Sequence, residues 1–153
     1  MLAIVTVDSF GYKLTFLLHV LSFIVAFAPA FVHPVLTRRV AGAEGDGGSR
    51  RLWGHMATND LRVYAPALVA TGFFGILLIV QSEDVISFAD PWVSAAFLVW
   101  FLMIGVLVGL LVPAERRQAA GEAGAERLVR AFGGAIRLLL VVMLFLMIWQ
   151  PGR

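Results

Sequence analysis

Two histidines lie in one long apolar stretch, LLHVLSFIVAFAPAFVHPVL, and they are the residues best suited to chemistry in this chain. Ionisable residues inside apolar segments are costly and often serve a function. His19 and His33 are fourteen positions apart, a separation of about 21 Å along a helix. We therefore expect the two histidines to meet different partners, because one helix cannot bring both to the same ion.

For His19 the candidate partners are methionines near the end of the chain. Met143 is placed at the same depth as His19 if the last helix runs in the opposite direction, and Met147 lies four residues further along the same face. Imidazole and thioether groups are suitable ligands for Cu(I), and a His/Met pair can hold haem iron. The sequence thus predicts a metal site of His19 and Met143, or a haem or copper site that also includes Met147. The alternative is ordinary packing, in which the methionines only fill gaps.

For His33 the candidate partners are arginines. Arg137 interrupts the last apolar run, and Arg62 precedes the second run. A cluster of His33, Arg62 and Arg137 would bind a lipid phosphate or a small anion. The alternative for Arg137 is that its long side chain only reaches back to the headgroups.

The elements that carry these residues are transmembrane helices. The chain has 153 residues, of which 60% are hydrophobic and only 14% are charged, against roughly 25% charged in soluble domains. Spanning a bilayer takes about 20 apolar residues, and four runs meet that length. We predict an all-α fold: a single domain over residues 1–153, with spans at about residues 12–36, 63–82, 91–114 and 129–150 in an up-down bundle. Cysteine is absent, which excludes thiolate chemistry.

Charge predicts the orientation of these helices. The loops around Arg50, Arg51, Arg116 and Arg117 are basic, whereas the connection between the second and third runs carries only acidic charge. Because positive loops remain in the cytoplasm, we expect both basic loops inside and both termini outside, in a multi-pass protein of a bacterial plasma membrane.

The first helix carries a stripe of small and polar residues at helical spacing, which predicts the face that packs on other helices. The stripe consists of Tyr12, Thr15, His19, Ser22, Ala26, Pro29, Ala30 and His33. Pro34 is expected to mark the inner end of this helix.

The polar segments between the spans are assigned to loops. The Gly-rich stretch AGAEGDGGSR is typical of a flexible connector, and the Asn59–Asp60 pair is suited to cap the second helix. A segment starting AAGEAGAERLVR is expected to begin the fourth helix with amphipathic turns. With these boundaries no Asp or Glu lies in a span, which argues against a proton-coupled transporter of the carboxylate type.

The first helix, YKLTFLLHVLSFIVAFAPAF, resembles that of several small bacterial membrane families. These are the copper-resistance D (CopD) domain, the HemJ family of membrane protoporphyrinogen oxidases, and a family of uncharacterised four-helix proteins that the overall layout resembles most. Lys13 and His19 match the shared motif, and the resemblance implies haem or copper handling. The chain departs from HemJ in lacking its second motif, and from CopD-like chains in having AFAPAF where Trp-Gly often follows the histidine.

Three functions fit this sequence. The first is a non-catalytic accessory or packing subunit, partnered by the bilayer and by other membrane subunits or a second copy, with no role for nucleic acid. The second is a haem- or copper-handling protein centred on His19. The third is an anionic lipid or small-anion binder at the cytoplasmic side.

Overall fold

The computed structural model describes residues 9–43, 45–83 and 85–152, and it is all-helical in these ranges. The helices are α1 (Phe10–Ala43), α2 (Gly45–Asn59), α3 (Ala65–Gln81), α4 (Pro91–Val106), α5 (Val112–Ala120) and α6 (Ala125–Trp149). Two π-helical segments, Asp60–Tyr64 and Leu107–Leu111, join α2 to α3 and α4 to α5 without a break.

These elements form four helices in the described residues that are long and apolar enough to span a membrane. They cover Phe10–Thr37, Gly47–Gln81, Pro91–Ala120 and Ala125–Trp149. Helix α1 packs chiefly on α3, α4 packs on α6, and the shorter α2 packs on α5. Large apolar side chains such as Phe16, Leu98 and Leu138 remain exposed on the outside of this assembly, as expected of side chains that face lipid tails.

The stripe predicted on α1 is confirmed as its packing face. Thr15 and Pro29 are buried and the other members of the stripe are half-buried, whereas Leu14, Leu21 and Ile24 on other faces are exposed. The Thr71 hydroxyl lies 3.1 Å from the Ser22 hydroxyl and shares its one hydrogen between Ser22 and the Ala67 carbonyl at 2.9 Å, and this contact joins the stripe to α3. The polar members of the stripe thus link two helices, as expected for polar groups between membrane helices.

The prediction that Pro34 ends the first helix is wrong, because α1 continues to Ala43. Proline inside a helix removes one backbone donor, and membrane helices accept it where side chains compensate. The backbone donor that Pro34 lacks would have bonded to the Ala30 carbonyl, and the chain is helical on both sides of this position. The helix therefore passes through Pro34 and extends well beyond the predicted span.

The prediction of a flexible connector after the first span is also wrong. Residues Gly45–Asn59 form α2, in which Met56 and Ala57 are buried against neighbouring helices. This burial favours helix in spite of the glycines, since packing of an apolar face supplies most helical stability. Asn59 makes no side-chain capping hydrogen bond, because the chain is already helical on both sides of it.

The turn before α6 does depend on glycine. Gly121 and Gly124 both have positive φ, at 77° and 82°, a conformation that side chains with a Cβ disfavour. Helix α6 then begins at Ala125, four residues before the predicted span. Its first turns are amphipathic as predicted, with Ala125 and Val129 buried and Glu126 and Arg130 exposed.

Candidate functional sites

Two cavities lie inside the helix assembly, one at each end. The His19 cavity, of about 510 Å³, is lined by the start of α1 and α4 and the end of α3 and α6. The His33 cavity, of about 530 Å³, is lined by the later part of α1, the start of α6 and both π-helical segments. Phe27, Leu68 and Met103 line both cavities and form the partition between them. Each of the two histidines therefore belongs to a separate site.

His19 is fixed by one hydrogen bond to the backbone of α3. Its Nδ1 lies 2.8 Å from the Thr71 carbonyl oxygen. A carbonyl oxygen can only accept, so Nδ1 carries the hydrogen and, in the neutral ring, Nε2 presents a lone pair. Among the described residues no hydrogen-bond partner reaches Nε2. This combination is what a metal-binding imidazole has: one nitrogen held by a second group and the other available as a ligand.

Two glycines of α3 let side chains from other helices reach its carbonyls. The Trp100 Nε1 donates to the Leu68 carbonyl at 2.8 Å, as His19 does to Thr71. In each case a glycine lies four residues after the acceptor, Gly72 for Leu68 and Gly75 for Thr71. A Cβ at Gly72 would lie 2.2 Å from the Trp100 ring, and one at Gly75 would lie 3.3 Å from His19 Cε1. The absence of a Cβ at these glycines therefore lets the Trp100 and His19 rings approach the α3 carbonyls closely enough to form hydrogen bonds.

The methionines predicted for His19 line the same cavity. Met143 is half-buried, Met147 is more exposed, and Met103 is completely buried. The rest of the cavity wall is almost entirely apolar and includes aromatic rings from α1 and α4. The cavity is larger than one ion needs and lies within the range of sites that bind small organic molecules or cofactors.

His33 lies between two carboxylates rather than among arginines. Its Nε2 is 3.8 Å from Asp60 Oδ1, and its Nδ1 is 3.7 Å from Glu115 Oε1. Both carboxylate side chains are only 1% exposed, and His33 is 16% exposed. One potential ligand atom from each of the three residues lies within 4.8 Å of the other two. We call this group of His33, Asp60 and Glu115 the carboxylate cluster.

Two oxygens of the carboxylate cluster lack a hydrogen bond. Asp60 Oδ1 and Glu115 Oε2 are buried and receive no hydrogen bond. The two carboxyl groups also lie within hydrogen-bonding reach of each other, and within the described part of the chain their ion pairs involve only His33. Two ionised carboxylates this close and this buried are strongly unfavourable, so the arrangement requires a bound cation or a proton held between them.

The π-helical segments keep these carboxylates on the inner face of their helices. Glu115 follows Leu111, Leu107 and Met103 at steps of four residues, and all four are buried. In an α-helix each such step overshoots a full turn by about 40°, which would turn Glu115 about 120° away from Met103. A π-helical turn takes more residues and absorbs this drift, and such turns often occur at functional sites.

Of the two arginines predicted beside His33, one lines its cavity and the other does not. Arg137 lines the His33 cavity and its Nε donates to the Gly133 carbonyl at 3.0 Å, whereas Arg62 is exposed and does not line the cavity. The expectation that no carboxylate lies in a span is wrong, because the second and third long helices extend beyond the predicted spans. They include Asp60 and Glu115. The predicted boundaries failed because they ended at the first charged residue.

No protein-family model matches the chain, and no curated protein or solved structure is significantly similar to it. The class of protein is therefore defined by the fold and the cavities alone. The chain is an all-helical protein with four helices suited by length and composition to a membrane.

Proposed function

We propose that this protein is a multi-pass membrane protein of the bacterial plasma membrane that binds haem through His19. The observation that carries the proposal is the hydrogen bond from His19 Nδ1 to the Thr71 carbonyl, which leaves Nε2 available in an apolar cavity of about 510 Å³. The resemblance of the first helix to CopD and HemJ supports the same cofactor class. The alternative function is that of a non-catalytic packing subunit, alone or with other membrane proteins. Haem binding through His19 would replace this alternative.

The residues of the cavity fit a haem group. His19 would hold the haem iron, and the Thr71 carbonyl would orient the imidazole ring and raise its basicity. Met143 and Met147 line the same cavity and are the candidates for a second ligand, since a histidine and a methionine together can hold haem iron. The apolar wall would exclude water and lower the local dielectric constant. When bound, haem would supply one-electron transfer.

The proposal includes the orientation of the helices that the basic loops predict. With the basic loops in the cytoplasm, the His19 cavity would lie in the outer half of the bilayer and the carboxylate cluster in the inner half. An anionic lipid bound near Arg137 remains a prediction for that inner side.

The test is haem binding by the detergent-purified protein. We expect one haem per chain with a Soret band on reconstitution with haemin, and loss of the band in His19→Ala. His55→Ala is the matched control, because His55 is exposed on α2 and lines neither cavity. Gly75→Ala retains every ligand but crowds the imidazole, so it should weaken haem binding without abolishing it.

Three results would overturn haem binding. A Soret band that persists in His19→Ala would mean that the haem is held elsewhere. Stoichiometric copper without a chromophore, lost in His19→Ala and in Met143→Leu, would establish the copper alternative in its place. If the protein bound neither haem nor copper, the proposal would be refuted, and the packing-subunit and anion-binding functions would stay.

A further inference from the structure

We propose that the carboxylate cluster is a binding site for a first-row divalent cation such as Zn²⁺ or Mn²⁺. This site is separate from the His19 cavity and does not depend on haem binding there. The inference rests on the juxtaposition of His33, Asp60 and Glu115, brought together from three helices with two buried carboxylate oxygens that receive no hydrogen bond.

The distances from His33 to the two carboxyl groups fit ligands that share an ion better than direct hydrogen bonds. The two nitrogen–oxygen separations of 3.7 and 3.8 Å are too long for hydrogen bonds. A tetrahedral ion with bonds of about 2.1 Å spaces its ligand atoms by about 3.4 Å. A small inward movement of the side chains would therefore close this cluster around an ion.

The charges also fit. With both carboxyl groups ionised and the imidazole neutral, the cluster would carry a charge of about −2, which a divalent ion neutralises and a single imidazolium would not. Arg130 and Arg137 line the same cavity, but Arg130 pairs with the exposed Glu126, and Arg137 bonds to a backbone carbonyl. Neither arginine is within ion-pair distance of Asp60 or Glu115 in the described structure. Among the described residues no arginine therefore neutralises the carboxyl groups, and His33 is the cationic group in contact with them.

The donor set indicates which cations would bind. Imidazole suits zinc and iron, carboxylates suit manganese and magnesium, and the mixture favours first-row divalent ions over Cu(I). One ring nitrogen of His33 would ligate the ion, and the other would donate to a neighbouring carboxylate, which keeps its second oxygen for the ion. The His33 cavity provides room for the water ligands that complete the coordination.

The test uses the detergent-purified, chelator-treated protein and Zn²⁺ alone as the probe. We expect one Zn²⁺ per chain in competition with a chromophoric chelator. Removing an outer-shell partner typically costs 10–100-fold in metal affinity, so Glu115→Gln and Asp60→Asn should each cost at least about that much. Both changes nearly preserve shape. If one variant does not fold, the other and His33→Gln provide the same test.

Glu126→Gln is the matched control, because Glu126 lines the same cavity but is exposed and paired with Arg130. It should bind Zn²⁺ as the unmodified protein does, and so should His19→Ala, which separates this site from the proposed haem site. Substoichiometric Zn²⁺ binding, or equal loss in Glu126→Gln, would overturn the proposal. The proposal would also be overturned if the unmodified protein bound no Zn²⁺ and the Glu115→Gln protein melted at a higher temperature. That result would show protonated carboxyl groups in place of an ion.

Discussion

Replacing Gly72 by alanine should destabilise the helix assembly although alanine is the better helix former. The added Cβ would lie 2.2 Å from two carbons of the Trp100 ring and 2.8 Å from its Nε1. Carbon atoms in contact need about 3.5 Å, so the ring must move by more than about 1 Å. That movement breaks the 2.8 Å hydrogen bond from Trp100 to the Leu68 carbonyl.

The free energies of these effects can be compared. Overpacking costs about 1–3 kcal/mol, and the lost hydrogen bond costs about 1 kcal/mol. Against these, exchanging glycine for alanine inside a helix gains about 1 kcal/mol. We expect Gly72→Ala to lower the free energy of unfolding by about 1–3 kcal/mol. Gly105→Ala is the control, since a Cβ there has no neighbour within 4 Å, and it should be neutral or slightly stabilising.

The assay is equilibrium unfolding in mixed detergent micelles, followed by circular dichroism. A double-mutant cycle with Trp100→Leu isolates the clash, because Gly72→Ala should cost little once the indole ring is absent. The reasoning would be refuted if Gly72→Ala were as stable as Gly105→Ala, or if it cost the same with leucine at position 100. Either result would mean that the indole does not pack against this glycine.

Two further predictions concern the hydroxyl between the helices and the carboxylate cluster. Thr71→Val removes the hydroxyl bond to Ser22 but leaves the backbone carbonyl that holds His19. We therefore expect a loss of about 0.6 kcal/mol in unfolding free energy and unchanged haem binding. A lost Soret band would contradict the assignment of the His19 hydrogen bond to the Thr71 backbone. Zn²⁺ at 100 times its dissociation constant should stabilise the protein by about 2.7 kcal/mol, and thermal unfolding should show this gain shrinking as pH falls, because protons compete for the imidazole and carboxylates. Glu115→Gln should show no such gain at any pH, and a gain that persisted there would place the ion elsewhere.

Hydropathy and helical spacing were sufficient to predict much of the α1 packing. The small and polar residues recur at three- and four-residue steps, and those are the residues that are buried or half-buried on α1. The side-chain spacing of a helix follows from backbone geometry, so a single sequence contains this information. The placement of His19 within a cavity also lined by Met143 and Met147 follows from the same geometry plus the depth of each residue.

The carboxylate cluster was missed because charged residues were used to end the spans. A signal was present in the helical phase: Asp60 is followed by Tyr64, Leu68 and Thr71 at helical steps, and it therefore continues the inner face of α3. Two facts could not be read from the sequence. The π-helical segments depend on tertiary packing, and the contact of His33 with both carboxylates depends on how three helices meet.

Packing alone does not account for the carboxylates at this position. A buried ion pair or triad can often be replaced by apolar side chains of similar volume without loss of stability, because desolvation offsets the attraction between the charges. Here even that attraction is incomplete, since Asp60 Oδ1 and Glu115 Oε2 receive no hydrogen bond. Leucine or methionine at these positions would fill the same space at lower cost. The proposed cation would offset the cost of burying two carboxyl groups beside His33, and the Zn²⁺ titrations measure the free energy available for this.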